Sequence, residues 1–520
     1  MLELARMLKG HPLSLMLATS VISYDPQTVT VAHYMEKWRK RELDDENLPT
    51  DTAFLRSFEV SFDELERTSP LATKLLTLFG FLDHRDMWYD LCLNATDSGY
   101  PDWLRKLANP KRFREYYSPL YNLSFVEDKP RGRKECVYEI HPAIHEFSRW
   151  KAKGNEEEYV KCAVSLVAAK VPRSTDRDFL EIALRLEPHA EQCKIHLEQG
   201  RGGRGLDLFE LEKFGNLFRL VGRYEEASRL YERILNVLRV DEHSQLTLEL
   251  MANIENNLGL VYHAQRKYNL ALQVFDRSSG RRVQLPAQNE DALMSTLYNR
   301  GRSLLMLSEL DEAQRCLHST ARYFRAIAEN NNSLDRDEKW RFYFRILNDL
   351  GETYLRKNNL NQAERAFREA FDGQKQYLHE LHPVTFAVRL NIGRVCVERL
   401  QFASARKIFE YIIATYEEWW GRRHSETMRA VDELANSYMR QGRLMRLMDD
   451  WGNLELKRAA DSKLERAANL WNETLSFYQE IYDTNSEIAI FVRSQLRDLQ
   501  LLSSSIPEDT YKMYYSSRSP

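Results

Sequence analysis

The feature that most constrains this chain is a small residue that returns along it with the same companions. From Gly215, the offsets +3, +9, +12 and +16 hold Phe218, Tyr224, Ala227 and Tyr231. From Gly259 they hold Tyr262, Tyr268, Ala271 and Phe275, and from Gly301 they hold Leu304, Leu310, Ala313 and Leu317. Gly351 is followed by Tyr354, Leu360, Ala363 and Phe367, and Gly393 by Cys396, Phe402, Ala405 and Phe409. A sixth origin, Ala435, keeps Tyr438 at +3. Self-similarity at a fixed period marks a repeat architecture, in which one unit buries its apolar face only by stacking on the next. The pattern predicts helical hairpins. A small residue at the origin lets helix A approach its partner, and the bulky residue one turn later fills the groove. A turn such as Val221-Gly222-Arg223 reverses the chain. Ala at +12 and the residue at +16 then share one face of helix B.

This pattern resembles tetratricopeptide repeats. The origins are 44, 42, 50, 42 and 42 residues apart, longer than the usual repeat of about 34. With His382-Pro383-Val384-Thr385 and His424-Ser425-Glu426-Thr427 each eleven residues before an origin, the longer period looks like the kinesin-light-chain type. The resemblance implies a right-handed α-solenoid of about six repeats over 206–502. In the sixth unit Leu464, Ala467 and Trp471 regain the standard spacing only if 444–463 is an insertion. Ile488 to Leu502 reads as a capping helix and 503–520 as a flexible tail. Asn330 to Asp335 reads as a rim loop, and Gly200-Arg201-Gly202-Gly203-Arg204-Gly205, between helical patterns, as a hinge rather than an RNA-binding patch.

Composition agrees with a mostly α chain. Only 20 Gly and 15 Pro occur in 520 residues, too few for a chain full of β-turns. The 74 basic and 77 acidic residues leave a net charge of −3, without the basic excess of a general nucleic-acid binder. The apolar stretch Leu13 to Ile22 is about half the length of a bilayer span. The six cysteines, Cys92, Cys136, Cys162, Cys193, Cys316 and Cys396, are far apart with no CxxC. They read as buried thiols of a reducing compartment, so a cytoplasmic protein is expected.

The first 205 residues lack the repeat. Gly10-His11-Pro12-Leu13-Ser14-Leu15 is, in itself, a turn into an apolar helix. It also looks like the GLPLA motif of STAND nucleotide-binding proteins (the NB-ARC and NLR-like group), whose Pro lies against the nucleotide base. Phe54 to Leu65 followed by Ala72 to Leu82 looks like the opening of that group's winged-helix subdomain. Leu123 to Glu127 and Cys136 to Ile140 alternate around Asp128 to Lys134 as a wing hairpin would. Ile140-His141-Pro142 then occupies the place of the MHD motif, whose His senses the nucleotide phosphate. The resemblance implies a helical-subdomain remnant over 1–50, a winged-helix-like module over 51–150 and a helical spacer over 151–205. Gly10, Pro12 and His141 would be remnants of nucleotide motifs, with Pro142 where the MHD Asp should be. No G-x-x-x-x-G-K-[ST] stands in the sequence, so without a P-loop supplied upstream neither nucleotide binding nor hydrolysis is expected. The chain then reads as the sensing half of such a protein.

Candidate chemistry is sparse. His141 and His145 beside Glu146 have a metal-compatible spacing without a third ligand motif. His189, Cys193 and His196 share a helical stripe that reads as core. No nucleophile or metalloprotease signature occurs, so no catalytic residue, metal or cofactor is expected. The better candidates line the side of helix A that faces the groove in tetratricopeptide repeats. Two before the origin stand Lys213, Asn257, Asn299, Asp349, Asn391 and Glu433; one after stand Asn216, Arg302, Glu352, Arg394 and Asn436. The resemblance implies that such asparagines bind a peptide's main chain, for which an amide supplies both donor and acceptor. The predicted groove is Asn216, Asn257, Asn299, Arg302, Asn391, Arg394 and Asn436. Arg302 and Arg394 would favour an acidic peptide and Glu352 would oppose it. The expected function is a non-enzymatic scaffold or sensor for a protein or peptide, with no membrane or nucleic-acid partner. A kinesin-light-chain-type cargo adaptor and a winged-helix DNA-binding regulator are the rival readings. The first lacks a preceding heptad coiled coil. The second has only Arg105, Lys106, Lys111, Arg112 and Arg114 as a basic cluster.

Overall fold

In a computed structural model, described for residues 2–25, 29–40, 52–93, 95, 99–131, 135–173, 178–201, 208–239, 244–286, 290–330, 335–378, 380–448, 453–482 and 487–503, the chain divides into two compact units, Met1–Arg281 and Arg282–Pro520. Residues 202–205 of the expected hinge, 331–334 of the expected rim loop, and the tail from 504 lie outside the described residues.

The first unit opens with α1 (Leu2–Met7), α2 (Pro12–Tyr24), α3 (Val31–Lys40), α4 (Thr52–Thr68) and α5 (Pro70–Phe79). After a 3-10 turn at Tyr89–Leu91 come α6 (Asp102–Leu107), α7 (Pro110–Asn122), the strands β1 (Glu127–Arg131) and β2 (Glu135–Glu139), then α8 (Pro142–Trp150). The strands pair antiparallel from Glu127↔Glu139 to Arg131↔Glu135, and Met87 bridges Tyr138 on the other side. The core is aromatic. Phe58 of α4 stands 5.6 Å from Phe125 and 5.4 Å from Phe147 of α8, each ring contributing roughly 2–3 kcal/mol through burial. The first strand starts later than the alternation from Leu123 suggests. Ser124 takes φ 57°, and the N–H groups of Ser124 and Phe125 bond back to the carbonyls of Tyr121 (3.0 Å) and Leu120 (2.9 Å). Leu123 to Phe125 are thus spent on closing α7 before the strand begins.

The unit continues with α9 (Glu156–Lys170), α10 (Phe179–Glu198) and the hairpin of α11 (Leu208–Leu220) and α12 (Tyr224–Leu238). The next hairpin, α13 (Gln245–Ala264) and α14 (Tyr268–Val283), runs to the boundary between the units. The second unit holds α15 (Glu290–Met306) with α16 (Leu310–Glu329), α17 (Arg336–Arg356) with α18 (Leu360–Leu378), and α19 (Pro383–Glu398) with α20 (Phe402–Trp420). It ends with α21 (Ser425–Leu447), α22 (Leu454–Tyr482) and a last helix, α23 (Glu487–Ser503).

The repeated offsets have a direct physical meaning. A Cβ added to Gly215 would lie 2.4 Å from the Tyr231 ring, one on Gly259 2.4 Å from Phe275, and one on Gly393 2.5 Å from Phe409. The +16 ring of helix B therefore rests on the bare backbone of the origin in helix A. Where Leu317 replaces the ring, the gap at Gly301 opens to 3.2 Å. The turns are equally regular. The residue at +7, namely Gly222, Arg266, Ser308, Asn358 and Leu400, takes a left-handed φ between 57° and 84° in all five hairpins. The N–H at +8 reaches the +3 carbonyl at 2.8 to 3.0 Å, and the N–H at +7 reaches the +4 carbonyl at 3.0 to 3.2 Å. This two-bond closure satisfies the last carbonyls of helix A.

The sixth hairpin departs from the others at that turn. Gly442, at +7 from Ala435, stays helical, and α21 runs on to Leu447. The segment expected to be an insertion, 444–463, is helical wherever it is described except around Met448 and Asn453: it lengthens α21 and supplies the start of α22, while 449–452 lie outside the described residues. Ala467 and Trp471 are buried, and a Cβ on Gly442 would meet Leu464 at 2.8 Å.

Candidate functional site

The A helices of each unit carry a row of half-buried polar side chains that bond across to the next A helix. In the first unit the hub is Glu212 of α11. Its Oε1 accepts from Asn216 Nδ2 at 2.7 Å and from Asn257 Nδ2 of α13 at 2.8 Å. Tyr231 donates its hydroxyl to Asn216 Oδ1 at 3.0 Å, so the two predicted asparagines meet on one buried carboxylate.

In the second unit the row is longer. Tyr298 of α15 donates to Asp349 of α17 at 2.7 Å, and Arg302 lies 3.6 Å from the same carboxylate. Asn299 is half-buried beside them on α15. Asn391 Nδ2 of α19 donates to Asn348 Oδ1 at 2.9 Å, and its own Oδ1 accepts from Arg394 at 3.2 Å. Arg394 pairs with Glu352 at 2.5 Å and with Glu433 of α21 at 3.4 Å, and Asn436 bonds Glu433. Burial pushes the Asp349 and Glu433 carboxyls upward. It does the same to Glu352, but the adjoining Arg394 and Arg356 guanidiniums together outweigh it and hold that carboxyl below its ordinary value.

One expectation is corrected by these pairings. Arg302 and Arg394 do not stand as free cations awaiting an acidic peptide, because each is answered by a carboxylate of the neighbouring A helix. Glu352 is the partner of Arg394 rather than an opposing charge. The position three before the origin, where Glu212, Tyr298, Asn348 and Asp432 stand, belongs to the same row although the predicted groove did not include it. Three of these anchor the cross-helix bonds. Asp432 instead accepts from Tyr478 of α22 at 2.8 Å, and burial pushes its carboxyl up to about 6. Polar residues recurring there, next to a buried origin, were the available signal.

The residues singled out by the nucleotide-motif resemblance do local work. His11 and His141 are the N-caps of α2 and α8, their Nδ1 atoms accepting from Ser14 and Ala143 N–H at 3.2 Å each. Pro12 and Pro142 follow at the first helical position, where a missing N–H costs nothing. His382 and His424 cap α19 and α21 in the same way. Gly10 takes φ +67° ahead of the first cap. Phe54 stands 6.1 Å from His11 and 5.4 Å from Phe147, which links the start of α2 to α8.

The two His-containing stripes are packed into the core or held at a helix cap. His145 Nε2 pairs with the Leu82 carbonyl at 2.8 Å, whereas His141 is engaged as a cap. His189, Cys193 and His196 are buried, and His189 Nδ1 accepts from Asp83 N–H at 3.1 Å. Burial depresses His145 and His196 to about 4. Among the described residues no group of three or more His, Cys, Asp or Glu is placed to hold a metal ion, and no helix is long and apolar enough to cross a membrane. At the end of α20 two tryptophans are adjacent: Trp419 packs 5.4 Å from Phe386, while Trp420 is 38% exposed and lies 4.6 Å from His424.

Comparison with known proteins bears on the repeats. The tetratricopeptide-repeat family models match residues 342–418 and 211–245. The chain thus carries tetratricopeptide repeats, the class that stacked hairpins with small origins define. Among proteins of curated function none matches in sequence. Solved structures with a similar course include the STAND protein with a tetratricopeptide repeat sensor from Pyrococcus horikoshii (13% identity, 99% of this chain and 68% of that one, TM-score 0.43). The apo form of the quorum sensor NprR from B. thuringiensis is another (14% identity, 69% and 92%, TM-score 0.41). So is BtubC (BKLC) from P. vanneervenii (16% identity, 48% and 91%, TM-score 0.34). Identities and scores at this level say nothing about a ligand.

Proposed function

We propose that the chain is a non-enzymatic interaction protein that holds an extended peptide segment on the A-helix row of its second unit. The observation that carries this reading is the row Asn348, Asn391, Arg394, Glu352, Glu433 and Asn436, half-buried and tied across successive A helices. An amide has two N–H donors and a carbonyl with two lone pairs. The Asn391 bonds to Asn348 and Arg394 use one donor and one acceptor site, and leave the others for a ligand's main chain. The same bonds hold the amide in one orientation before a ligand arrives, which lowers the entropic cost of binding. Since the charges of the row are paired, an extended backbone of either overall charge fits it better than an acidic peptide in particular. Asn299 and Arg302 would extend the row, and Asn216 with Asn257 would form its counterpart in the first unit.

The test is selection of random linear peptides against the full chain, followed by isothermal titration of the winners. Asn391→Ala and Asn436→Ala should each weaken binding about tenfold, or roughly 1.4 kcal/mol, with the circular dichroism spectrum unchanged. Peptides that bind both variants as well as the parent would place the ligand elsewhere and refute the reading.

We read residues 51–150 as winged-helix-like on the support of the β1–β2 hairpin following α7 and the Met87 bridge to Tyr138. The reading of 1–50 as an NB-ARC remnant rests on the Gly10 to Leu15 motif, and that of an MHD position after the hairpin on Ile140-His141-Pro142. Since His11 and His141 serve as helix caps, those motifs are accounted for without a nucleotide. No observation favours the DNA-binding or cargo-adaptor readings over the peptide row.

A further inference from the structure

A pocket of about 490 Å³ opens in the first unit between α7 and the β1–β2 hairpin, in the size range of ligand sites. Its walls are rings. Tyr117 and Tyr138 stand 4.2 Å apart, Phe113 and Tyr89 4.9 Å apart, and Phe113 lies within 7° of parallel to Tyr117. Two of the hydroxyls are engaged: Tyr89 donates to the Ala108 carbonyl at 2.8 Å, and Tyr117 donates to the Asp128 carboxylate. At the rim, one turn apart along the exposed side of α7, come Arg114, Ser118 and Tyr121, the last 52% exposed. Among the described residues the Arg114 guanidinium has neither an ion pair nor a hydrogen bond. A second depression of about 520 Å³ shares Pro110, Arg114 and Ser118 with the first and adds Lys111.

An aromatic wall with one uncommitted guanidinium at its edge selects for a flat ring bearing a single negative group. The ring offers stacking and edge contacts to Phe113, Tyr117 and Tyr138. The guanidinium offers two parallel N–H donors to a carboxylate. We propose that this pocket binds an aromatic carboxylate, with the ring between α7 and the hairpin and the carboxylate on Arg114. That chemistry has two sources, a free aromatic acid or the C-terminal Tyr, Phe or Trp of a polypeptide. A nucleic-acid strand would also use stacking and cations, but here Asp128 and Glu115 stand beside Arg114 and Lys111 in the two linings. Two cations with two carboxylates beside them can answer a single carboxylate but make a poor track for a chain of phosphates.

The test is isothermal titration of the full chain with four probes: indole-3-acetate, a hexapeptide ending in Tyr with a free carboxylate, the same peptide amidated, and single-stranded oligothymidylate. One or both carboxylates should bind, and the amidated peptide at least about tenfold more weakly than its acid if the polypeptide terminus is the source. Tighter binding of indole-3-acetate than of the peptide would assign a free small acid, and the reverse a C-terminus. Because Arg114 is exposed, Arg114→Gln leaves the fold intact and should cost about tenfold in affinity, with Arg114→Lys intermediate. Tyr121→Ala provides a second variant on the ring side. The proposal is overturned by any of three results: no binding of either carboxylate at millimolar concentration, affinity unchanged by Arg114→Gln, or binding of the oligonucleotide alone.

Discussion

Replacing Gly259 with alanine adds one methyl group at the point where helix A of a repeat touches the ring of its helix B. That methyl carbon would lie 2.4 Å from Phe275 Cε1 and 2.7 Å from two further ring atoms. Carbon atoms rest at about 3.5–4.0 Å, so the ring must retreat by about 1 Å. Phe275 is fully buried, so it can retreat only against packed neighbours. Overpacking of this kind costs about 1–3 kcal/mol, and the better helix propensity of alanine returns about 1 kcal/mol. The expected net destabilisation is up to about 2 kcal/mol. Gly280, in the α14 of the same hairpin, is the internal control: it is exposed, and an added Cβ would meet nothing within 4 Å. There alanine should stabilise by about 0.5–1 kcal/mol, so the same substitution reverses sign within one hairpin. Urea unfolding followed by circular dichroism, with amide exchange of α13 and α14 to localise the effect, measures both. Adding Phe275→Leu to Gly259→Ala should cost less than the sum of the two changes, because the smaller side chain makes room for the methyl. If Gly259→Ala stabilised the protein as Gly280→Ala does, or if the double variant were additive, the ring-on-glycine account of the repeat would fail.

Two further outcomes follow from the second unit. The Asp432 carboxyl is raised by burial to about 6 from an ordinary value near 3.8, so between those values the folded chain binds more protons than the unfolded one. Stability should therefore fall as pH rises from about 4 to 6 and stay low above it. Asp432→Asn should reduce that slope, leaving the share of the other raised carboxyls Asp349 and Glu433, and stabilise the protein at pH 8, as read by urea midpoints across pH. At the α19–α20 turn, Leu400 holds a left-handed φ of 62° with its side chain 57% exposed. Leu400→Gly should stabilise by about 0.5–1 kcal/mol, the relief of strain exceeding the added chain entropy; a loss of stability in thermal melts would contradict this.

The comparison of sequence with structure divides along physical lines. Glycine origins, alanines at +12 and rings at +16 could be read directly, because close approach of two helices permits few residue types at the point of contact. The turn at +7 was less legible. Only Gly222 and Asn358 advertise a left-handed residue, while Arg266, Ser308 and Leu400 take the same conformation because the two backbone bonds closing helix A demand it. The polar row was visible as positions but not as chemistry. Nothing in the spacing tells that Asn216 and Asn257 share Glu212, or that Arg394 is held between Glu352 and Glu433. Likewise the His-Pro pairs suggested a nucleotide motif, and only the hydrogen bonds of His11 and His141 assign them to helix capping.

By itself the order of residues determined that this chain makes stacked helical hairpins and where each begins, since a periodic small-and-bulky pattern acts over distances of one or two helical turns. The tertiary structure alone decided which charges are free and which are answered. It also decided that Gly442 continues a helix where its counterparts turn, and that five aromatic side chains from α7, β2 and the turn before α6 line one pocket. Those outcomes depend on groups far apart in sequence meeting within a few ångströms, where burial and pairing set their energies.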